Sequence, residues 1–379
     1  MNDTAARPAP DPARVTSLLG RSLLLTRDWS TPELEAVLAV ARCFEAADGA
    51  GRSTALLRDE LAYALFFDRS TRTKSAWAGA AVRLGMRPMA VDAGSTQIEH
   101  GETAEETGAM LGMNAHALGV RHDRFLGEGQ RFMRATKKGI DDYLAATHSP
   151  RRVPVVNLQC DIDHPTQTLA DLMWLTECFP AGLNGRRIAV SWAQSPSYAK
   201  PLSVPQGLAM LLPRFGAEVV LAHPEGYRLT DDVLETARRV AADAGGSFRV
   251  VASMDEAFAG ADAVYVKSWG PHDLMLERVE AHRARDRARM ADIERAAIDR
   301  NSRHRDWICD ESRMGLTRNG KALYLHCLPA DIGDEVSPGV MERHRVNVAR
   351  QANKKLYVMM ALIAVAKVPD LVARLEALH

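Results

Sequence analysis

The sequence predicts an α/β protein with two doubly wound domains, in each of which helices flank a parallel sheet. Apolar runs of strand length alternate with amphipathic helical stretches almost from end to end, a pattern typical of parallel sheets covered on both faces. The predicted strands are too many for a single sheet. At roughly one domain per 150 residues, the 379-residue chain has room for two or three domains.

The elements can be placed in chain order. The predicted strands cover residues 61–67, 115–121, 153–160, 187–192, 218–222, 263–267 and 322–326. The predicted helices cover residues 71–84, 166–179, 204–215, 231–244 and 353–378, and a mixed-charge segment, 277–306, predicts a solvated helix. We expect a disordered tail over residues 1–15, a domain boundary near Thr166, and a last helix that packs back on the first domain.

The composition excludes several classes of protein. Basic and acidic side chains number 48 each, which leaves no basic field for nucleic acid or an anionic membrane. No apolar run reaches the roughly 18 residues of a membrane helix, and the start of the chain lacks the apolar stretch of a secretory signal. The five scattered cysteines contain no C-x-x-C pair, which disfavours disulfides and cysteine-ligated zinc. We expect a cytoplasmic protein without metal or cofactor.

The first candidate site follows the strand at residues 61–67. Ser70, Thr71, Arg72 and Thr73 stand where a strand ends and a helix begins. Free backbone N–H groups, the positive end of the helix, three hydroxyls and a guanidinium would then surround one point, as they do around a bound phosphate. An ordinary Ser/Thr N-cap with a solvent-facing arginine gives the same pattern, so the segment alone leaves both interpretations open.

Polar residues also follow three other predicted strands. His164 and Gln167 come after one of them, Arg121 ends a second, and Cys327 follows a third. Each residue has an ordinary explanation, such as a histidine at a helix start or a small buried cysteine. Together they lie at the carboxyl ends of parallel strands, where such sheets bind ligands. Their convergence predicts a small-molecule site.

Two other enzyme classes are disfavoured. No G-x-G-x-x-G follows any predicted strand, which argues against a nicotinamide enzyme. His100, Gly101 and Glu102 match the H-x-E of zinc deaminases. The required P-C-x-x-C is missing, so this match does not indicate a zinc site.

The chain resembles the aspartate/ornithine carbamoyltransferases over about residues 20–370. The resemblance rests on Ser70-Thr71-Arg72-Thr73, Gly101-Glu102-Thr103 with Glu106-Thr107, Arg121, His164-Pro165-Thr166-Gln167 and His326-Cys327-Leu328-Pro329-Ala330. The proline-rich loop, residues 194–206, and residues 264–269 look like the knotted branch. The overall pattern most resembles the uncharacterised knotted carbamoyltransferases related to acetylornithine carbamoyltransferase, and it implies that the proline loop is part of a backbone knot.

The resemblance implies which domain binds which substrate and which residues form the site. It implies a carbamoyl phosphate-binding domain over residues 16–165, joined by the helix 352–379, and an amino-substrate-binding domain over residues 166–351. It implies that carbamoyl phosphate is bound by Ser70, Thr71, Arg72, Thr73, Gln97, Arg121, His164, Gln167, Cys327, Leu328 and Lys355. Thr71, Arg72, Arg121 and His164 are the implied catalytic residues, because they would polarise the carbonyl as an amine attacks. Gln97 lies on a loop, 94–102, that relatives lend to a neighbouring subunit, which implies a homotrimer.

The chain also departs from the family pattern. Lys355 stands where ornithine enzymes carry a phosphate-binding arginine, and Lys267, Ser268 and Trp269 replace the residues that hold ornithine. These three residues and Cys327 are the expected acceptor contacts. Lys267 favours an amine acceptor with an anionic group, not ornithine, although a surface charge explains it equally well. The alternative function is a carbamoyltransferase-like binding or scaffold protein without turnover, which the intact motifs disfavour.

Overall fold

A computed structural model describes residues 9–198 and 200–378 of the chain. It divides into two compact units, one formed by Met1–Met173 with Asn353–His379 and the other by Trp174–Ala352. Each unit contains a parallel sheet flanked by helices, which confirms the predicted fold class.

The secondary structure alternates between strands and helices. The strands are β1 (Leu61–Phe66), β2 (Arg87–Asp92), β3 (Ala117–His122), β4 (Val155–Cys160), β5 (Arg187–Ser191), β6 (Glu218–Ala222), β7 (Ser247–Val251), β8 (Ala263–Val266) and β9 (Leu323–Leu325). The helices are α1 (Pro12–Thr16), α2 (Thr31–Gly49), α3 (Thr71–Arg83), α4 (Ala104–Gly112), α5 (Gly129–Ala146), α6 (Pro165–Cys178), α7 (Ser203–Leu211), α8 (Asp231–Ala244), α9 (Met254–Phe258), α10 (His272–Arg283), α11 (Arg287–Ser302), α12 (Glu311–Leu316), α13 (Pro338–Lys367) and α14 (Leu371–Glu376).

The sheet of the first unit has the strand order β2-β1-β3-β4, with every pair parallel. The chain leaves β1 for β2 on one side and later returns to place β3 on the other side. The strand order therefore reverses between β1 and β3, the point at which open parallel sheets bind ligands. Phe66 at the end of β1 pairs with Arg121 of β3, so the loops after these two strands are neighbours.

The sheet of the second unit has the strand order β7-β6-β5-β8-β9 and is also parallel. Its order reverses between β5 and β8. The proline loop follows β5, and Lys267 follows β8 directly. The segment that the sequence predicts to contact the acceptor thus lies at the switch point of this sheet.

Two strands were not expected from the sequence. β2 and β7 are edge strands, each with exposed residues along much of its length, so neither reads as a continuous apolar run. The mixed-charge segment forms two helices, α10 and α11, and the chain turns between them where Arg285 adopts a φ of 55°. Helix α13 begins at Pro338, well before the expected start at Asn353.

The ends of the predicted domains also differ in detail from the units. The chain passes between the units inside α6 and inside α13, whereas the expected boundary near Thr166 is at the start of α6. Helix α1 occupies the end of the expected tail, of which residues 1–8 lie outside the described part of the chain. Among the described residues, no helix is both long enough and apolar enough to cross a membrane.

Candidate active site

The start of α3 offers hydrogen-bond donors to solvent. Ser70 is the N-cap residue, and its hydroxyl accepts a hydrogen bond from the backbone N–H of Thr73 at 3.3 Å. The side chains of Thr71 and Arg72, in the first turn, are exposed. The first N–H groups of a helix have no partner within it, and the helix dipole favours an anion there. The predicted phosphate segment therefore combines open donors with positive charge.

Arg121, at the end of β3, reaches toward the same helix start. Its Nη1 donates to the hydroxyls of Ser70 at 3.1 Å and Thr73 at 3.5 Å. Its Nη2 forms an ion pair with Asp123 at 2.9 Å. No acceptor in the described residues reaches its Nε, which is buried. A largely buried guanidinium with an open donor is suited to an incoming oxyanion.

His164 and Lys355 lie together elsewhere in the first unit. Both are buried, and the Nζ of Lys355 is 3.4 Å from Nε2 of His164. The other ring nitrogen, Nδ1, is 3.3 Å from the hydroxyl of Thr166. An ammonium can only donate, so Nε2 accepts and the ring proton belongs on Nδ1. The neighbouring Asp163 is buried, and burial raises the pKa of its carboxyl to about 6 although Thr26 donates two hydrogen bonds to it.

The remaining predicted contacts of the first unit differ in exposure. Gln167 is buried, and its amide donates to Asp171 at 2.7 Å. Gln97 is exposed and begins a short 3-10 helix, Gln97–His100, in the loop between β2 and α4. Gln97 is therefore open to solvent, whereas Gln167 is packed in the interior. Sequence reasoning did not single out Asp68 and Asp123, which lie beside Arg121; the only signal for Asp123 is its position two residues after that arginine.

In the second unit, the three predicted acceptor contacts after β8 are all buried. Lys267 donates through Nζ to the carbonyls of Ser268 at 2.7 Å and Pro201 at 3.1 Å. The indole N–H of Trp269 donates to the carbonyl of Tyr227 at 2.7 Å. The indole of Trp269 is thus turned into the core, and the ammonium of Lys267 lies between two loops.

Glu335 joins the segments that carry these residues, and sequence reasoning did not find it. Its carboxylate is fully buried and accepts hydrogen bonds from the backbone of Ser268 at 2.6 Å and Asp331 at 2.8 Å, and from Nζ of Lys200 at 2.9 Å. Nε2 of His326 lies 3.5 Å away. Burial alone would raise the pKa of Glu335, but His326, Lys200 and the Asp331 N–H outweigh it and hold the pKa below its usual range.

The His-Cys-Leu-Pro motif begins at the end of β9. The backbone N–H of Leu328 donates to Nδ1 of His326 at 2.8 Å, so the ring proton of neutral His326 points from Nε2 toward Glu335. Cys327 is half-buried with a free thiol, and Leu328 adopts a φ of 54°. This bend turns the backbone of the motif away from the strand direction.

The proline loop contacts three separate segments of the second unit. Lys200 forms ion pairs with Asp331 at 2.7 Å and with Glu335. The amide of Asn301 donates to the carbonyl of Ser197 at 2.8 Å. The backbone N–H of Gly270 donates to the carbonyl of Lys200 at 3.1 Å. These bonds fix the described part of the loop against its surroundings.

Comparison with known proteins identifies the architecture. Residues 21–177 match the carbamoyl-P binding domain, and residues 202–366 the Asp/Orn binding domain, of the aspartate/ornithine carbamoyltransferase family. The Escherichia coli (strain K12) protein provisionally named carbamoyltransferase YgeW is 46% identical over 366 residues, which cover 94% of this chain and 92% of that protein. The N-acetylornithine carbamoyltransferase of Xylella fastidiosa (strain 9a5c) is 30% identical over 368 residues, covering 91% of this chain and 98% of the relative.

Solved structures that are similar to this chain are also transcarbamylases. Acetylornithine transcarbamylase complexed with acetylcitrulline superposes with a TM-score of 0.76 and 26% identity, covering 92% of this chain and 99% of the other. A single-substitution variant of N-acetyl-L-ornithine transcarbamylase complexed with carbamyl phosphate and N-succinyl-L-norvaline gives a TM-score of 0.74 and 26% identity, covering 90% and 98%.

Proposed function

The chain belongs to the aspartate/ornithine carbamoyltransferase family, and from this premise we propose that it transfers a carbamoyl group between carbamoyl phosphate and an amine that bears an anionic group and is not ornithine. Carbamoyltransferase activity follows from the family and its named members. The nature of the acceptor, the residues of the site and the assembly are our proposals.

The observation that supports the carbamoyl phosphate site best is the pairing of Arg121 with the start of α3. The phosphate is bound by the N–H groups and hydroxyls at residues 70–73 and by the Arg72 guanidinium. Arg121 already contacts Ser70 and Thr73 and keeps a buried N–H without an acceptor in the described residues. We assign this open donor to the ligand, because charge-assisted hydrogen bonds are the strong ones at such sites.

The reaction needs no covalent enzyme intermediate. The lone pair of a neutral amine attacks the carbonyl carbon, and the carbonyl oxygen gains negative charge. Arg121, the Nδ1–H of His164 and the Thr71 hydroxyl donate to that oxygen, which stabilises the charge as it develops. The carbon–oxygen bond to phosphate then breaks, phosphate leaves with the electron pair, and the amine nitrogen passes a proton to the leaving phosphate. Gln167 and Lys355 orient carbamoyl phosphate for attack.

The acceptor class follows from the residues after β8. Lys267 is the candidate to bind an anion, because its buried ammonium directly follows β8 at the switch point of the second sheet. The relatives are complexed with acetylcitrulline and N-succinyl-L-norvaline, which are acylated amino acids. Such molecules carry a carboxylate but no free α-ammonium. We therefore propose an acylated or otherwise N-blocked amino acid, bound through Lys267, Ser268, Trp269 and Cys327.

Features of each unit support the proposed assembly and topology. β2 is an edge strand whose residues are mostly exposed, and the loop after it carries the exposed Gln97. A second copy of the chain would cover this edge, as a homotrimer with shared sites requires. The proline loop is bonded to segments near residues 270, 301 and 331, which supports a threaded path. The described cysteines are free thiols, in keeping with a cytoplasmic location.

A screen of amines and ureido compounds tests the proposal. The purified protein is incubated with carbamoyl phosphate and single amines, including ornithine and N-acylated ornithines, and phosphate release above the amine-free rate is measured. The reverse direction is tested by phosphorolysis of the matching ureido compounds. We expect turnover with an N-blocked acceptor and little with ornithine.

Two results would contradict parts of this account. Efficient carbamoylation of ornithine would refute the acceptor class but leave the carbamoyl phosphate site intact. Tight binding of carbamoyl phosphate without turnover of any amine or ureido compound would favour the alternative, a binding or scaffold protein.

A further inference from the structure

Asp123 is an unusual neighbour for a phosphate-binding arginine. Its side chain is 1% exposed, and one oxygen, Oδ2, forms the ion pair with Nη2 of Arg121. The other oxygen, Oδ1, is buried, and no hydrogen bond reaches it in the described part of the chain. A buried carboxylate oxygen without a donor costs free energy, so a proton-bearing partner is expected close to it.

Asp68 can supply that proton. It lies in the loop after β1, and its carboxyl is within hydrogen-bonding reach of the Asp123 carboxyl. The other charged groups that face Asp68 are Arg124, whose Nε is 3.7 Å away, and Arg121. His122 packs against the neighbouring Phe67, with ring centroids 4.0 Å apart. Burial and then the charge of Asp123 raise the pKa of Asp68 to about 6, while the two arginines oppose the rise.

The same guanidinium connects the two acids to the helix start. Nη2 of Arg121 bonds Asp123, and Nη1 bonds the hydroxyls of Ser70 and Thr73. An oxyanion bound at the helix start therefore shares Arg121 with a carboxylate that is already present. An oxyanion at the helix start would add negative charge beside two carboxylates that already share Arg121 in a partly desolvated place.

We propose that Asp68 and Asp123 form a carboxyl pair that positions the Arg121 guanidinium and takes up one proton when an oxyanion binds beside it. This inference rests on the proposed carbamoyl phosphate site. The proton comes from solvent and bonds to a carboxylate oxygen of the pair, which changes the pair from two negative charges to one. The protonated acid then donates to Oδ1 of Asp123, and the Asp123–Arg121 ion pair is kept.

The consequence is a pH dependence of anion binding with a defined sign. A ligand whose binding takes up a proton binds more weakly as the pH rises. Below the pKa of about 6 the pair already holds its proton, so affinity should change little there. Above this pKa, the affinity for the anion should fall by up to about tenfold per pH unit, which is the largest slope that the uptake of one proton can cause.

Sulfate is the cleanest probe, because it remains a dianion over the whole range. Its binding is measured by isothermal titration between about pH 5.5 and 8.5, in pairs of buffers that differ in ionisation enthalpy, which yields the number of protons taken up. Carbamoyl phosphate is titrated in the same way. We expect uptake approaching one proton near neutral pH in the wild type.

Two variants assign the proton to the pair. Asp68→Asn keeps a hydrogen-bond donor without a titrating carboxyl, so the uptake should fall by most of one proton. Sulfate should also bind up to about tenfold more tightly than to the wild type near pH 7, since no proton is then needed. Asp123→Asn should reduce the uptake as well. Asp141→Asn is the control, because Asp141 pairs with Lys137 on the exposed face of α5; its uptake should match the wild type.

The outcomes separate this inference from the proposed function. Equal proton uptake in the wild type and in both folded variants of the pair would overturn the inference and leave the carbamoyl phosphate site standing. Failure of the wild type to bind both sulfate and carbamoyl phosphate would remove the site and the inference together. If a variant fails to fold, the wild-type titration still decides. Its sulfate affinity should fall as the pH rises above about 6, and an affinity that does not fall would overturn the inference.

Discussion

The ammonium of Lys355 lies 3.4 Å from Nε2 of His164, and both side chains are buried. The two residues are separated by 191 positions in the chain. The contact brings Lys355 to the histidine of the His-Pro-x-Gln motif. A lysine offers a compact charge without the two-pronged geometry of arginine, which suits a single contact of this kind.

Replacement of Lys355 should weaken carbamoyl phosphate binding. Lys355→Met removes a charge-assisted hydrogen bond worth about 1.5–3 kcal/mol, so the dissociation constant should rise roughly 10- to 150-fold. Lys354→Met is the matched control: Lys354 is equally buried on α13, but it pairs with Glu45. That variant should lose stability and keep its affinity. A wild-type dissociation constant for Lys355→Met, measured by isothermal titration, would exclude Lys355 from the site.

His164 should affect turnover more than folding. If its ring donates to the carbonyl oxygen, His164→Ala should lower kcat by roughly 10²- to 10³-fold. The circular dichroism spectrum should stay that of the wild type. His282→Ala, an exposed position on α10, serves as the control and should keep wild-type kcat. The kcat values are measured by steady-state kinetics with the acceptor found by the screen. An unchanged kcat in folded His164→Ala would remove this residue from the mechanism.

Cys327 should tolerate substitution, because the proposed reaction uses its backbone and not its thiol. We expect Cys327→Ser to lower kcat/KM by less than roughly tenfold, whereas loss of a true nucleophile costs on the order of 10⁶-fold. Mass spectrometry of the protein during turnover should detect no carbamoyl adduct. A covalent adduct on Cys327, or inactivity of the serine variant, would instead make it a nucleophile.

Glu335 should stabilise the second unit in a pH-dependent way. Its pKa is lowered in the folded protein, so its contribution is present above the ordinary value of 4.5 and is lost as the pH falls toward the lowered one. Glu335→Gln should therefore lower the free energy of unfolding by about 3–5 kcal/mol at neutral pH, and by less in acid. Urea unfolding at several pH values measures this. Asp334→Asn, one residue away, is the control; a loss for Glu335→Gln that does not change with pH would contradict the ionic role.

The parts of the fold that could be predicted are those with a local pattern. β6 and α8 coincide with the predicted strand and helix, because a buried parallel strand is a continuous apolar run and an amphipathic helix repeats every 3.6 residues. β2 and β7 lack such a pattern because many of their side chains are exposed or half-buried. The predicted start of α13 is late because polar side chains interrupt the apolar ones between residues 338 and 352.

The site could be predicted in its residue types but not in its contacts. Strand ends identified Arg121 and His164, because the carboxyl ends of parallel strands share one edge of a sheet. No local pattern reports that Asp123 pairs with Arg121 through its side chain, or that Glu335 receives both Lys200 and the backbone of Ser268. Those contacts depend on long-range packing, which only the folded chain specifies.

Binding of carbamoyl phosphate to the start of α3 is the central claim, and isothermal titration of wild type and Arg72→Ala tests it most directly. Arg69→Ala is the control, since Arg69 is an exposed arginine of the same loop. We expect heat with carbamoyl phosphate for the wild type and for Arg69→Ala, and a roughly 10- to 150-fold larger dissociation constant for Arg72→Ala. A wild type that gives no heat with carbamoyl phosphate but binds another phosphorylated ligand would contradict it.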